Sequence, residues 1–477
     1  MHREQRGGDS VKRPGTAATP LRVAIVGSGP AGFYVAEHLL RRDGLVAEID
    51  MYERLPTPFG LVRFGVAPDH QKIKNVCRTF ERVAGKSGFR FLGNVEIGRD
   101  MSLTDLRQHY HQICFATGAL SDRRMNVPGE DLARSHPATE FVAWYNGHPD
   151  YRDLEFDLSV EKVAVVGVGN VAIDVARILC RTHDELVNTD IADYALDALR
   201  QSRVKEILIL GRRGPAQAAF TNAEVKELGE LAGADVTVPL EDMELDPLSQ
   251  AEVDASDDAA LKRKVEILRR YAGHAGTGKP RLLTLRFLVS PVELVGDAGG
   301  RVAGMRLVRN SLYRSEDGTL RPKPTNQMEE MPVGLVFRSV GYRGEAIPDL
   351  PFDDRRGVVP NLKGRVIEPD TEVTVVGIYV SGWIKRGPYG VIGTNKPDAA
   401  ETVAAMLEDL SAGELLDPEF PESTTVETLV GERQPEWVSY EDWQRLDQRE
   451  VQRGGKVGRP RVKFTNIHEM LKSLGRG

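Results

Sequence analysis

The chain has 477 residues, of which 41% are hydrophobic and 28% charged, a composition typical of a globular protein with two or three domains. A formal net charge of -7 argues against a general nucleic-acid binder, and no apolar run reaches the roughly 18 to 20 residues of a membrane span. Cys77, Cys114 and Cys180 stand far apart without a CxxC pair. This spacing excludes a dithiol redox pair, a cysteine-ligated iron–sulfur cluster and a structural zinc site, so no metal is expected.

Residues 1–20, MHREQRGGDSVKRPGTAATP, lack the apolar segment of a signal peptide. They predict a disordered N-terminal arm on a soluble, cytoplasmic protein. A mitochondrial presequence is the weaker alternative, because the arm contains Glu4 and Asp9 and shows no amphipathic pattern.

The first predicted strand, Leu21 to Val26, leads into a glycine fingerprint and then a helix. Between a strand and a helix, GxGxxG allows a tight turn and the close approach of a dinucleotide pyrophosphate. The next predicted strand, AEIDMYE, ends in Glu53, where an acid accepts hydrogen bonds from a ribose 2'-hydroxyl and repels a 2'-phosphate. The first site therefore suits the adenosine of FAD or NAD. Its fingerprint glycines are Gly27, Gly29 and Gly32.

A second strand and fingerprint follow at Lys162 to Val166, in the form GxGxxA. Here the strand that would carry the acid, in VKEILILGRRGP, is followed by Arg212 and Arg213. Paired guanidiniums match a 2'-phosphate, so the second site predicts NADP(H). Its fingerprint residues are Gly167, Gly169, Asn170, Val171 and Ala172.

Two nucleotide sites of opposite charge in one chain indicate electron exchange between their cofactors. The turns at Ala116-Thr117-Gly118 and in GLVFRSVGYRG are typical of chain crossings between two domains. We therefore predict an FAD domain in two segments, 21–120 and 340–477, and an inserted NADP(H) domain at 121–339. Within the insert, residues 233–258 are predicted to be an acidic, loop-rich stretch, and the later β-runs to complete the nucleotide-binding sheet.

Together, six motifs in this order make the sequence resemble the adrenodoxin reductase type of ferredoxin-NADP reductase. They are VGSGPAGFY, PFGLVRFGVAPDH, GNVAIDVARIL, GRRGPAQAAFTNAEVKEL, SVGYRG and GWIKRGPYGVIGTN. The resemblance implies an α/β fold with two Rossmann-like domains in a glutathione reductase-like architecture. It also implies a monomeric FAD enzyme in which electrons pass from NADPH through the flavin to a ferredoxin. The sequence departs from the family pattern at Tyr389, where Thr or Ser is usual.

The resemblance places further FAD contacts beyond the fingerprint glycines. Four of them follow the predicted strand in TEVTVVGIYVSG. Gly390 would leave room for the nicotinamide, and a helix is predicted to begin near Gly390 with its N–H groups toward the flavin. The FAD contacts implied in this way are Ala31, Glu53, Leu61, Ile97, Trp383, Gly390, Val391 and Ile392.

The resemblance also assigns residues near the nicotinamide. His70 and Glu227 fall where relatives place polar groups beside the flavin and nicotinamide, and His70 is expected to bond near the carboxamide or relay a proton. The NADP contacts that it implies are Gly169 to Ala172, Arg212, Arg213, Glu224 and Gly390. Without the resemblance, His70 reads as a turn residue, and Glu224 and Glu227 as one face of a solvated acidic helix.

Without a dithiol, the flavin itself must pass electrons singly to an external carrier. Ferredoxins are acidic, so a transient complex needs a basic patch, which LKRKVEILRR offers through Lys262 and Arg263. A solvated helix face is the alternative. Two other functions remain open from the residues alone. A flavin monooxygenase also has two fingerprints, although its FxGxxxHxxx signature is missing here, and a non-enzymatic NADPH-binding sensor or scaffold would be colourless.

Overall fold

The computed structural model describes residues 13–476. Two large and two small sheets contain its β-strands. In chain order they are β1 (Leu21–Val26), β2 (Ala47–Glu53), β3 (Phe89–Gly93), β4 (Gln112–Phe115), β5 (Ser121–Asp122), β6 (Ser135–Pro137), β7 (Lys162–Val166), β8 (Glu206–Leu210), β9 (Ala234–Thr237), β10 (Arg281–Arg286), β11 (Val289–Gly296), β12 (Val302–Arg314), β13 (Leu320–Pro332), β14 (Leu335–Arg338), β15 (Tyr342–Arg343), β16 (Asn361–Leu362), β17 (Arg365–Ile367) and β18 (Thr374–Val380).

Helices pack against these strands. They are α1 (Pro30–Leu40), α2 (Leu61–Phe64), α3 (Gln71–Lys74), α4 (Cys77–Ala84), α5 (Leu103–His109), α6 (Ala138–Tyr145), α7 (Asn170–Cys180), α8 (His183–Leu186), α9 (Asp193–Arg200), α10 (Asn222–Glu227), α11 (Leu240–Met243), α12 (Pro247–Ala255), α13 (Ala259–Tyr271), α14 (Trp383–Arg386), α15 (Asn395–Ala412), α16 (Ser423–Arg433), α17 (Tyr440–Gly455) and α18 (Ile467–Ser473). Short 3-10 helices lie at Pro149–Tyr151, Pro215–Gln217, Leu228–Glu230 and Ile392–Thr394.

The first large sheet has the order β16-β17-β18-β4-β1-β2-β3. Its strands β18, β4, β1, β2 and β3 are parallel, and β16 and β17 add an antiparallel edge. β18 lies about 260 residues after β4 in sequence, yet pairs directly with it. This sheet therefore unites the two chain segments that the sequence assigns to a discontinuous domain.

The second large sheet has the order β6-β14-β7-β8-β10-β9 and is parallel throughout. All six strands lie within the predicted insert, and the two parallel sheets confirm the fold class of two Rossmann-like domains. Two details of the insert were wrongly predicted. Only β10 of the later β-runs joins this sheet, because β11, β12 and β13 form a separate antiparallel sheet. Residues 233–258 contain β9, α11 and α12 rather than mainly loop.

The two chain crossings between the domains pair with each other. β5 and β15 form a two-stranded antiparallel ribbon in which Tyr342 pairs with Asp122 and Arg343 with Ser121. The first glycine of each fingerprint contacts the strand end that precedes a crossing. A Cβ on Gly27 would lie 2.6 Å from the Ala116 carbonyl oxygen, and one on Gly167 would lie 2.1 Å from that of Ser339. Only glycine fits at these two positions.

The N-terminal arm is ordered over a longer range than predicted. The Gly15 N–H donates to the Thr19 carbonyl over 2.7 Å, and the Gly15 carbonyl accepts from the Val46 N–H over 2.9 Å. Residues 13–20 are thus bonded to the segment before β2, and the rest of the predicted disordered arm lies outside the described residues. Among residues 13–476, no helix is long and apolar enough to cross a membrane.

The C-terminal segment contacts both domains through buried ionic groups. The Glu450 carboxylate on α17 accepts from both terminal nitrogens of Arg63, over 2.9 and 2.5 Å. Asp190 lies between Lys74, at 2.7 Å, and the fully buried Lys463, at 3.2 Å. These ion pairs join the end of the chain to α2, to α3 and to the segment between α8 and α9.

Candidate functional site

The first glycine loop has the shape of a dinucleotide cradle. A Cβ on Gly29 would meet nothing within 4 Å, so the backbone at this position opens onto free space. α1 begins with Pro30 directly after Gly29, which directs its first N–H groups into that space. On the other side, the Phe59 N–H donates to the Ser28 carbonyl over 3.0 Å and holds the PFG segment, including Leu61, against the loop.

Glu53 is fixed at the carboxyl end of β2. One carboxylate oxygen accepts from the Ser28 hydroxyl over 2.7 Å and from the Ser28 N–H over 3.2 Å, and the other accepts from the Leu55 N–H over 3.1 Å. The carboxylate is therefore oriented beside the glycine loop, where an adenosine ribose of a bound dinucleotide would lie. Ile97 is half-buried beyond the neighbouring strand β3.

The segment from Gly382 to Asn395 lies against the first fingerprint. A Cβ on Gly382 would come within 2.6 Å of the Ala31 Cβ, which places Trp383 beside the start of α1. The Trp383 indole Nε1 is buried and has no hydrogen-bond partner within residues 13–476. Its ring packs 5.2 Å from that of Tyr342 in the interdomain ribbon. An unsatisfied buried donor here fits a bound group with an acceptor at this point.

Lys385 and Arg386 hold this segment together. Lys385 donates to Glu401 over 2.7 Å, and Arg386 donates to Asn395 Oδ1 over 3.0 Å, so both cations bind the segment to α15. The Arg386 guanidinium also lies 4.9 Å from the centre of the Tyr389 ring. Tyr389 is 63% exposed. The exposed Tyr389 ring thus stacks on Arg386, the arginine that binds this segment to α15.

The helix after this segment starts later than predicted. Gly390 has φ +85° and Val391 is extended, so neither residue is helical. A short 3-10 helix from Ile392 to Thr394 leads into α15, which begins at Asn395. The Thr394 and Asn395 N–H groups donate within this turn, so the N–H groups available to a ligand are those of Val391, Ile392 and Gly393. Gly390 and Val391 are exposed at the mouth of the site.

The second glycine loop repeats the first. A Cβ on Gly169 would also meet open space, and α7 begins at the next residue. The Asn170 Oδ1 accepts from the Thr221 N–H over 2.9 Å, which connects this loop to the start of α10. Val171 is half-buried and Ala172 is fully buried against the sheet.

Arg212 and Arg213 follow β8 directly, at the carboxyl edge of the second sheet. Arg212 is exposed and Arg213 half-buried, and within the described residues neither guanidinium forms an ion pair. Burial and the neighbouring Arg212 together lower the pKa of Arg213. Two adjacent guanidiniums without a carboxylate partner form a binding site for an anion.

His70 and Glu227 lie 157 residues apart in the sequence and are brought together by the fold. The His70 Nε2 lies 2.8 Å from a Glu227 carboxylate oxygen. The His70 Nδ1 lies 3.4 Å from Nη2 of Arg177, which can only donate. These contacts assign the proton to Nε2, so that Nε2–H donates to Glu227 and Nδ1 accepts from Arg177.

Arg177 on α7 is the centre of an ionic cluster that includes His70. It is fully buried, with Asp69 at 2.8 Å, Asp174 at 2.7 Å and Glu224 at 3.0 Å. Burial alone would raise the pKa of Asp69, but its ion pair with Arg177 lowers that pKa to about 2. Asp69 lies between β2 and β3 of the first large sheet and Arg177 on α7, between β7 and β8 of the second, so the cluster connects segments of the two sheets.

Glu224 is the member of this cluster that lies on α10, and its surroundings raise its pKa. Burial and the nearby Asp174 raise its pKa to about 6, against the lowering effect of Arg177. The ligand atoms of His70, Glu224 and Glu227 lie within 4.8 Å of one another, a spacing that a metal ion could use. Because Glu224 is already paired with Arg177, the three groups form a hydrogen-bonded and ionic network without a metal.

The raised pKa of Glu224 makes a prediction about stability. The folded state binds the Glu224 proton more tightly than the unfolded state, so the stabilisation is complete below about pH 4.3 and is lost as pH rises through about 6. Glu224→Gln removes this loss. The difference in free energy of unfolding between this variant and the parent protein should therefore shift by about 1 to 2 kcal/mol in favour of the variant when the pH is raised from 4.5 to 7. Urea titrations at both pH values measure the gain, and the exposed Glu230→Gln should show none.

The predicted docking helix is only partly free. α13 lies beside α10, which carries Glu224 and Glu227. Lys262 is exposed and has no ion pair among residues 13–476, whereas Arg263 and Arg270 both pair with Glu266, at 2.6 and 3.0 Å. The basic face is therefore weaker than the sequence suggests.

Sequence reasoning found His70, Glu224 and Glu227 only through the family pattern, and it missed the residues that connect them. Asp69 precedes His70 directly, and Asp174 and Arg177 lie in the quoted motif GNVAIDVARIL with a spacing that places them on one face of α7. An acid and an arginine three residues apart on a mostly apolar helix were the sequence signal that could have indicated this pair.

Comparison with known proteins agrees with this geometry. A family model described as pyridine nucleotide-disulphide oxidoreductase matches residues 21–209. The NADPH-ferredoxin reductase FprA of Mycobacterium tuberculosis (strain ATCC 25618 / H37Rv) is 44% identical over 461 residues, which cover 95% of this chain and 99% of that protein. The human mitochondrial NADPH:adrenodoxin oxidoreductase is 43% identical over 464 residues, covering 95% of this chain and 92% of that protein.

Solved structures give the same result. That of Mycobacterium tuberculosis FprA in complex with NADPH superimposes with a TM-score of 0.89 at 43% identity, covering 95% of this chain and 99% of that one. The likeness extends over both sheets and the ribbon between them. The chain therefore belongs to the adrenodoxin reductase-type family of ferredoxin-NADP reductases.

Proposed function

We propose that this flavoenzyme takes electrons from NADPH at the Arg212-Arg213 edge and delivers them through FAD to an acidic ferredoxin. One observation carries the assignment of the two nucleotides: equivalent strand ends bear opposite charges. β2 ends in Glu53 beside the first glycine loop, and β8 is followed by two unpaired arginines beside the second. An acid selects an unphosphorylated ribose and a pair of arginines selects a 2'-phosphate.

The residues around the first loop fit FAD. Gly27, Gly29 and Gly32 leave space for the pyrophosphate, and Glu53 is oriented for the ribose. The unsatisfied Trp383 indole N–H and the N–H groups ahead of α15 offer donors to the flavin ring. When bound, FAD accepts a hydride at N5 from nicotinamide C4 and releases the two electrons singly to an iron–sulfur carrier.

His70 and Glu227 act on the nicotinamide side of this site. Hydride transfer depends on stacking geometry rather than on a general base, so their contribution is to orient the nicotinamide and to hold a proton at Nε2. Arg177 fixes the other ring nitrogen and keeps His70 in one tautomer. Gly390 keeps this exposed turn in a positive-φ conformation, in which a Cβ would collide with the Thr394 side chain, and we assign its backbone to the nicotinamide side of the site.

The electron acceptor docks transiently through opposite charges. We assign this role to the α13 face around Lys262 and Arg263, supported by its position beside α10. We further propose that the enzyme works as a monomer and that it lies in the cytoplasm. The free thiols of Cys77, Cys114 and Cys180 support the second point, because they suit a reducing compartment.

Stopped-flow reduction of the purified protein by NADPH and by NADH tests this function. The expected result is a yellow protein that NADPH reduces much faster than NADH, and that then reduces a [2Fe-2S], [3Fe-4S] or [4Fe-4S] ferredoxin at a rate that falls with ionic strength. A colourless protein after FAD addition would contradict the flavin assignment. NADPH-dependent oxygen consumption coupled to hydroxylation would indicate a monooxygenase instead.

His70→Gln should slow flavin reduction by NADPH about 10-fold, because the nicotinamide loses one of its orienting groups. FAD content should be unchanged, since His70 lies on the nicotinamide side. Stopped-flow absorbance of the flavin measures the rate, and the exposed His468→Gln is the control for a histidine loss elsewhere. An unaltered hydride-transfer rate would remove His70 from the mechanism.

A further inference from the structure

The loop that carries Arg212 and Arg213 is held in place by a neighbouring segment of the insert. The Gly211 N–H donates to the Arg286 carbonyl over 2.8 Å, and the Gly211 carbonyl accepts from the Val289 N–H over 3.0 Å. The Arg213 carbonyl accepts from the Leu288 N–H over 3.1 Å. Residues 286–289, which connect β10 to β11, thus bind the loop at both of its ends.

Asn310 on β12 binds the remaining carbonyl. Its side-chain Nδ2 donates to the Arg212 carbonyl over 2.9 Å and to the Ser290 hydroxyl oxygen over 2.8 Å. Its backbone N–H donates to the Leu288 carbonyl over 2.7 Å. Asn310 is only 4% exposed and follows an irregularity in the pairing of β12 with β13. A bulge at this point turns a side chain out of the regular pattern and toward the loop.

The segment that supports Asn310 is itself rigid. Asp242 is fully buried and accepts from the Phe287 N–H over 2.9 Å and from the Arg286 Nε over 2.9 Å. It also pairs with Arg309, the residue before Asn310. The three-stranded sheet therefore forms a fixed base under the loop, with Asn310 as its point of contact with Arg212.

We propose that Asn310 is a positioning residue for the recognition of the 2'-phosphate of NADPH, acting through Arg212. All three loop carbonyls are bonded by groups of the base, which turns the backbone oxygens away from the anion site and leaves both guanidiniums free. This arrangement matters for a phosphate, which arginine binds in a fixed planar geometry, and not for NADH, which lacks that phosphate. The inference rests on the proposed function, because it deepens the role of the arginine pair.

Asn310→Leu keeps the branched shape of the side chain and removes both donated bonds. The expected result is an approximately 10-fold rise in the Kd for adenosine 2',5'-bisphosphate and in the KM for NADPH, the effect of one lost buried hydrogen bond on a charged site. The kinetics with NADH and the FAD content should change less than twofold. Asn188→Ala is the matched control, since its side-chain N–H donates over 2.8 Å to the Asp184 carbonyl on the surface of the same domain.

Two further variants separate positioning from simple destabilisation. In an Arg212→Gln background, Asn310→Leu should have no further effect on the Kd, because Asn310 acts only through Arg212. Should Asn310→Leu fail to fold, Ser290→Ala removes one partner of the same amide and should raise the Kd about threefold. Equal losses with NADPH and NADH, or an undiminished effect in the Arg212→Gln background, would overturn the inference. If the parent protein does not prefer NADPH over NADH, both the proposed function and this inference fail. If it does prefer NADPH and Asn310→Leu changes neither the Kd nor the KM for NADPH, only this inference fails.

Discussion

Replacing Arg212 and Arg213 together by glutamine should raise the KM for NADPH at least about 100-fold while leaving that for NADH nearly unchanged. Each guanidinium contributes a charge-assisted hydrogen bond worth about 1.5 to 3 kcal/mol to a bound 2'-phosphate. Neither arginine has a carboxylate partner among residues 13–476, so the substitution leaves no buried charge unpaired. Flavin reduction by each nucleotide, followed by stopped flow, measures the change.

The matched control is Arg314→Gln with Arg321→Gln. This pair lies in the exposed hairpin of β12 and β13 in the same domain and removes the same two charges. It should leave both nucleotides unaffected. In the parent protein the KM for NADPH should rise with ionic strength, and this dependence should largely disappear in the Arg212 and Arg213 variant. An equal loss for NADPH and NADH would mean that the arginines do not read the 2'-phosphate.

Replacing Glu450 by glutamine should lower the free energy of unfolding by about 3 kcal/mol. Glu450 is 0% exposed and accepts from Arg63 and, over 2.8 Å, from the Phe464 N–H. Its loss leaves the buried Arg63 without a countercharge, which costs about 3 to 5 kcal/mol in comparable cases. Against the effect of burial, Arg63 lowers the pKa of Glu450. The stabilisation is therefore present above the ordinary carboxyl pKa and is lost as the pH falls below it.

Denaturant titration of the FAD-loaded protein at neutral pH measures this effect. Glu441→Gln, an exposed position on the same helix, should change stability by less than about 0.5 kcal/mol. The double variant Arg63→Met with Glu450→Gln should recover most of the loss, because it removes the unpaired buried charge while glutamine still accepts from the Phe464 N–H. Equal stability of the Glu450 and Glu441 variants would show that the pair does not hold the C-terminal segment in place.

Local patterns predicted the two strands that lead into the glycine loops. The strands Leu21–Val26 and Lys162–Val166 have the bounds that were expected, because each is a short apolar run ended by a glycine turn. The helix after Gly390 was predicted four to five residues early, since a glycine pair and a proline mark a turn without fixing where helical geometry resumes. β11 and β12 were assigned to the wrong sheet for a related reason: an apolar strand does not specify its partner.

The connections between distant residues were not predictable. Asn310 and Arg212 are 98 residues apart, and Arg63 and Glu450 are 387 apart, so no periodicity relates them. Lys385 and Arg386 bind α15, a contact that no spacing in the sequence indicates. Propensity and spacing describe short stretches of chain, whereas these pairs depend on how the two sheets and the C-terminal segment meet.

The pairing of β18 with β4 has a consequence for synthesis of the protein. β4 lies in the interior of the finished sheet, but the strand that covers it is made about 260 residues later. At about 5 to 20 residues per second, a ribosome needs roughly 13 to 50 s to produce β18 after β4. Throughout that interval β4 is an open, apolar sheet edge, able to pair with other chains. The contiguous insert can fold meanwhile, so the nascent FAD half is where a chaperone is needed most.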